Sequence, residues 1–118
     1  MSNLRKQNIQ ESYFLDTLLD ILYSQKLQDI TIYKGTNSLA YKNIIISTAN
    51  SKTQMNGVVK KITEILKDKS NLNVEGKDST WLLLEVKEVL IHIFTNDSRR
   101  FYELEDIYFD CELIYQNG

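Results

Sequence analysis

The chain has 118 residues, 42% of them apolar and 25% charged, the profile of one soluble globular domain with a single core. Fourteen basic residues against 16 acidic ones leave a net charge of −2, which disfavours direct DNA or RNA binding through phosphates and allows a basic protein partner. Cys111 is the only cysteine, so there is no disulfide framework, CxxC pair or four-ligand zinc site, and no apolar run approaches the roughly 18 residues of a membrane span. A soluble, cytoplasmic domain without membrane contact is expected.

Met1 to Gln10 is polar, and residues 1–8 read as a short loose arm. From about Ile9 to Gln25 the spacing predicts a helix, with Phe14, Leu15, Leu18, Leu19, Ile21 and Leu22 in one apolar stripe. Asp29–Tyr33 alternates and is β-branched, so it reads as a strand. A loop over Lys34–Ser38 leads to a second strand, Tyr41–Thr48, centred on Ile44-Ile45-Ile46. Proline is absent, so Asn, Asp, Ser and Lys must shape such loops.

Ser51-Lys52-Thr53-Gln54 fits a capping box, in which the Ser51 hydroxyl and the Gln54 amide satisfy helix-start N–H groups reciprocally. Met55, Val58, Val59, Ile62, Ile65 and Leu66 follow at helical spacing, with Lys60, Lys61, Glu64 and Lys67 on the other face. A short third strand is expected around Leu72–Glu75, ended by Gly76-Lys77-Asp78.

Two apolar runs come next, Trp81–Glu85 and Val89–Phe94, separated by Val86-Lys87-Glu88, and they predict a tight strand pair. Continuous runs imply strands covered on both faces, hence central in a sheet. Asn96 or Asp97 then caps a final helix through Tyr108, with Phe101, Leu104, Ile107 and Tyr108 inward. Residues 110–118 give no clear signal and read as a second loose end. The order α-β-β-α-β-β-β-α describes an α/β or α+β domain with one mixed sheet of about five strands and flanking helices, its core over about residues 9–108. An exposed edge strand could pair in a homodimer of the free protein.

No residue constellation supports an enzyme, a metal site or a cofactor. His92 lies in an apolar strand with no carboxylate or nucleophile beside it, which fits a hydrogen-bonded core histidine. Ser47–Ser51 lies at a helix N-terminus, where an anion could bind, but it lacks glycines and a GK ending, so capping explains it. Glu103 and Glu105, two apart on an expected helix, do not face each other, so a shared metal ion is disfavoured.

Trp81 is either a core aromatic with its indole N–H on backbone or a binding anchor of the kind found at interface centres. Strand alternation puts Trp81, Leu83 and Glu85 on one face and Leu82 and Leu84 on the other. One face therefore offers an aromatic, an aliphatic neighbour and an acid to a basic partner.

His92-Ile93-Phe94, four spacer residues, Arg99 and then Phe101-Tyr102-Glu103-Leu104-Glu105-Asp106-Ile107-Tyr108 resembles the signature of the ribosomal silencing factor family, RsfS or Iojap. Val74-Glu75-Gly76 with Trp81–Glu85, Ile45–Ser51 with Gln54, and Asp29-Ile30 are similar to other motifs of that family, in order over about residues 12–108. Ala49 and Lys87 stand where the family has glycine, Lys42 where it has an acid, Asn96 where it has proline, and Glu85 where it has aspartate. Lys87 in a glycine position implies another turn geometry or some strain.

The resemblance implies a non-enzymatic, nucleotidyltransferase-like domain that binds ribosomal protein fourteen of the large subunit. It thereby blocks association with the small subunit and represses translation when nutrients are short. Organelle relatives act in ribosome assembly, so a large-subunit assembly factor without silencing is one alternative, and a degenerate nucleotidyltransferase-like nucleotide-binding protein is another. Under this resemblance Trp81, Leu82, Leu83, Glu85, Tyr102 and Glu105 are the expected partner-binding residues, with at most peripheral contact to ribosomal RNA.

Overall fold

The computed structural model describes residues 2–117, and side chains over 13–100 and 103–117. Three helices, α1 (Ser2–Ser24), α2 (Lys52–Ile65) and α3 (Asn96–Tyr102), accompany one six-stranded sheet. Its strands are β1 (Gln28–Lys34), β2 (Asn43–Ala49), β3 (Leu72–Glu75), β4 (Trp81–Val86), β5 (Val89–Thr95) and β6 (Glu112–Asn117). They lie in the order β3-β4-β5-β2-β1-β6, all antiparallel neighbours except the parallel β2–β5 pair. The sheet is therefore mixed, as expected, with one strand more than the sequence suggests.

The parallel pair is the centre. Asn43↔Val89 through Ala49↔Thr95 are in register, and α2 with the β3–β4 hairpin forms the crossover that a parallel pair requires. The continuous apolar run of β5 is buried on both faces, as such runs imply. The equally apolar β4 departs from that rule. It lies one strand from the edge, and only Leu82, Leu84 and Val86 are buried, while Trp81, Leu83 and Glu85 are half-exposed.

On one face of the sheet, Leu18, Ile21 and Leu22 of α1 and Met55, Val58 and Ile62 of α2 meet Ile30, Ile32, Ile45, Leu82, Leu84 and Ile91. The α2 cap forms as its sequence requires. The Ser51 hydroxyl accepts from the Gln54 N–H at 3.2 Å, and the Gln54 side-chain oxygen accepts from the Asn50 N–H at 2.6 Å. On the opposite face, Ile44, Ile46, Leu90 and Phe94 are covered by Leu104, Tyr108 and Cys111.

Three expectations are corrected. Residues 2–8 belong to α1 and residues 112–117 to β6, because β6 pairs with the outer edge of β1, a non-local contact no window of sequence displays. The last helix stops at Tyr102, where Glu103 takes a left-handed φ of 47°, and a 3₁₀ turn over Leu104–Asp106 follows. Leu104 and Tyr108 still point inward, but Ile107 is exposed and the Phe101 side chain lies outside the described residues. Thr95, not Asn96 or Asp97, caps α3, and the Asn96 amide instead reaches Asn50 at 3.2 Å.

Candidate protein-docking site

The two-residue turn Lys87-Glu88 pairs Val86 with Val89, and this register sets Leu83 opposite His92 and Trp81 opposite Phe94. Trp81 and His92 are thereby diagonal neighbours on the less covered face. The Trp81 indole N–H donates to His92 Nδ1 at 3.1 Å, not to backbone. Its ring lies 5.0 Å from the Phe94 ring, centroid to centroid, and 5.9 Å from the imidazole. On its far side, His92 Nε2 is 3.0 Å from the Tyr108 hydroxyl.

The chemistry of that chain is determined. An indole N–H can only donate, so Nδ1 accepts, and a neutral imidazole then carries its proton on Nε2 and donates it to Tyr108. His92 is 4% exposed. Burial pulls its pKa down to about 4, so the ring is neutral at physiological pH. The core-histidine reading of His92 therefore holds, and both of its nitrogens are satisfied.

Below Trp81 on the same face are Leu83 and Glu85. Asn73 on β3 donates to the Glu85 carboxylate at 3.4 Å. Partial burial and then a hydrogen bond to Glu85 raise the Tyr41 phenol above its usual range. Glu75 on β3 is exposed, and among the described residues neither Glu75 nor Glu85 has an ion-pair partner. The patch is an aromatic–aliphatic strip flanked by two unneutralised acids.

Two of the expected partner-binding residues are placed elsewhere. Leu82 is 2% exposed among the helix-side residues, because alternation on β4 turns it away from Trp81. Glu105 pairs with Arg99, whose Nε and Nη2 lie 2.9 and 2.8 Å from Oε1. Tyr102 has its side chain outside the described residues.

Arg99 stands in the sequence only as part of the family-like signature, with no role assigned, yet the structure makes it a hub. Besides Glu105, it donates to Thr48 Oγ1 at 2.9 Å, to Thr31 Oγ1 at 3.4 Å and to the Asp29 carbonyl. It thus ties β1, β2 and the turn after α3 together. Asp29 sits at a β-bulge with φ of 50°, and Arg99 holds its carbonyl there. Six residues separate Arg99 from Glu105, which would point apart on one helix, and the break at Glu103 brings them together.

A sequence profile described as "Ribosomal silencing factor during starvation" matches residues 6–117. The chain belongs to the ribosomal silencing factor family. It is 30% identical over 80 residues to ribosomal silencing factor RsfS of Bacillus subtilis, covering 64% of this chain and 67% of that protein. Over 66 residues, 54% of this chain, it is 35% identical to the chloroplastic protein Iojap of Arabidopsis thaliana, and that match spans only 28% of the relative's length. A crystal structure from Bacillus halodurans superposes with a TM-score of 0.72 at 17% identity, covering 88% of this chain and 98% of that one. A Chromobacterium violaceum structure gives 0.71 at 20% identity, with 82% and 84% covered. These two establish the fold alone.

In this family member the Ser47–Ser51 segment is committed to the chain itself. Ser47 Oγ donates to the His92 carbonyl, Thr48 Oγ1 accepts from Arg99, and Asn50 and Ser51 serve the α2 cap. Lys42 pairs with Glu88 at 3.2 Å. Lys87 has a left-handed φ of 54°, so the turn carries strain. No helix among the described residues is long and apolar enough to cross a membrane, and no group among them of three or more His, Cys, Asp or Glu could hold a metal ion.

Proposed function

We propose that this chain is a cytoplasmic ribosomal silencing factor. It docks on ribosomal protein fourteen of the large subunit and, by its volume, keeps the small subunit from joining, which represses translation under nutrient limitation. No chemistry is needed for this. Exclusion scales with occupancy, so a bound domain of this size suffices.

The observation that supports the reading is the outer strip of β4. Trp81 and Leu83 are half-exposed at the centre of a family motif, and Glu85 and Glu75 flank them without counter-ions. An aromatic and aliphatic centre with an acidic rim fits a basic protein surface. Leu82 contributes packing behind the strip, and Glu105 acts through Arg99 rather than as a primary contact. Tyr102 is retained as a contact on family likeness only. Ribosomal RNA contact is peripheral at most, and DNA and membranes play no part.

Purified subunits with excess domain test the reading. Subunit joining should fall as the domain is added, and Trp81→Ala, folded normally, should bind large subunits about thirtyfold more weakly, as expected for a central aromatic anchor. If Trp81→Ala co-sediments as well as wild type, β4 is not the docking strand. Binding without inhibition of joining would instead identify an assembly factor. The free protein is proposed to pair through an exposed sheet edge, and sedimentation at rising concentration reads that out.

A further inference from the structure

We propose that His92 is a positioning residue for docking, whose imidazole, braced by the Tyr108 hydroxyl, fixes the Trp81 ring in the orientation presented to the partner. This rests on the reading of β4 as the docking strand and adds to it how the anchor is held.

β5 carries one polar ring in an otherwise apolar buried run. Its buried positions are otherwise Val89, Leu90, Ile91, Ile93 and Phe94, and an aliphatic residue would fill position 92 without any polar group to satisfy. The buried imidazole is tolerated because both nitrogens are bonded, one to Trp81 and one to Tyr108. Neither bond joins β5 to the helices. One reaches the outward residue of β4, and the other reaches the segment that covers this face.

Ring packing such as that on Phe94 is less directional than a hydrogen bond, and any torsional freedom it leaves a half-exposed indole would have to be lost on binding. The N–H bond to His92 removes that freedom beforehand. The imidazole ring is also nearly parallel to the Phe94 ring, at 9°, so its own plane is set by packing. Trp81 is thus fixed by an imidazole that is itself fixed on both sides.

Trp81 is the only tryptophan, so its fluorescence reports on this one ring. In the full-length chain, His92→Leu should lower Trp81 emission anisotropy, raise its quenching by acrylamide and weaken binding to large subunits about tenfold. His92→Gln should restore all three readouts, with binding within about threefold of wild type, because its side-chain oxygen can accept from the indole and its N–H can donate to Tyr108. Tyr108→Phe keeps the ring and removes only the brace, so it serves if His92→Leu does not fold, and anisotropy should fall there too. In a Trp81→Phe background, His92→Leu should weaken binding no further.

Unchanged anisotropy in both His92→Leu and Tyr108→Phe overturns the positioning role, whatever happens to binding. An equal loss from His92→Leu in the Trp81→Phe background overturns it as well, since His92 would then act by another route. If anisotropy falls as expected but Trp81→Ala binds like wild type, the docking role of this ring is overturned and its ordered orientation stands.

Discussion

The two faces of the sheet are built on different principles. The face under α1 and α2 is closed by aliphatic side chains from long helices, and β4 and β5 supply Leu82, Leu84, Ile91 and Ile93 to it. The opposite face has only the short α3, a 3₁₀ turn and the segment to Cys111, and there polar and aromatic contacts add to a smaller apolar cluster that includes Ile44, Ile46, Leu90 and Leu104. Trp81, His92 and Tyr108 form one chain of hydrogen bonds there, and Arg99 with Glu105, Thr31 and Thr48 forms another. Non-directional burial suffices where helices are long enough to cover a sheet. Where they are not, directional bonds hold the cover in place and leave the outward residues of β4 half-exposed.

Breaking the aliphatic face should have the largest effect on stability. Leu84 is fully buried under the helices, so Leu84→Ala is expected to destabilise by about 2–5 kcal/mol, read from a denaturant midpoint. Below that midpoint the Trp81 emission should match wild type, because Leu84 faces away from the indole. A shifted native emission would show the two faces to be coupled and so weaken the contrast.

Acid probes the polar face. The His92 imidazole titrates near 4 when folded against an ordinary 6.5, so above pH 6.5 both states hold a neutral ring and its contribution is complete. Between 6.5 and 4 the unfolded chain takes up a proton that the folded chain refuses, and stability falls as pH falls. The loss should reach about 2 kcal/mol by pH 5. It should be absent in His92→Gln, and equal slopes for the two proteins between pH 7 and 5 would contradict the buried neutral ring.

Arg99→Met tests the second network. Its bonds are only partly screened, since the side chain of Arg99 is 15% exposed and that of Glu105 37%, and a loss of about 1–2 kcal/mol is expected. The Asp29 carbonyl then loses its partner while the residue keeps its left-handed strain. Asp29→Gly should therefore recover about 0.5–1 kcal/mol in the Arg99→Met protein, by relieving a conformation that only glycine adopts freely. No recovery would mean the bulge relaxes once Arg99 is gone.

What the sequence displayed follows the same division. The helix-side elements were legible because their information is local: the stripe from Phe14 to Leu22, the Ser51–Gln54 cap and the Met55–Leu66 spacing each fit within a few turns. Strand alternation also placed Trp81, Leu83 and Glu85 together on the outward face. The polar face was less legible because its contacts span the chain. The Trp81–His92 bond needed the hairpin register, which the two-residue turn implies once Val86 is counted in the strand. The Arg99–Glu105 pair needed the left-handed break at Glu103, which no helical spacing announces, and β6 has no buried face to give it a pattern.

The Lys87-Glu88 turn joins the two regimes and should give the smallest effect. Lys87, at the first position of the turn, has φ of 54°, a conformation that favours glycine, while its ammonium lies 4.5 Å from the centre of the Phe14 ring on α1. Lys87→Gly releases about 1 kcal/mol of strain, but costs about 0.5 in unfolded-chain entropy and about 0.5 in the lost cation–π contact. The net change should lie within about 0.5 kcal/mol of zero. In a Phe14→Leu background the contact is already absent, so the same substitution should stabilise by about 0.5 kcal/mol, and the difference between the two backgrounds isolates the contact. Equal effects in both would mean that Lys87 gains nothing from α1. The hairpin would then bear its strain without help from the helix-covered face.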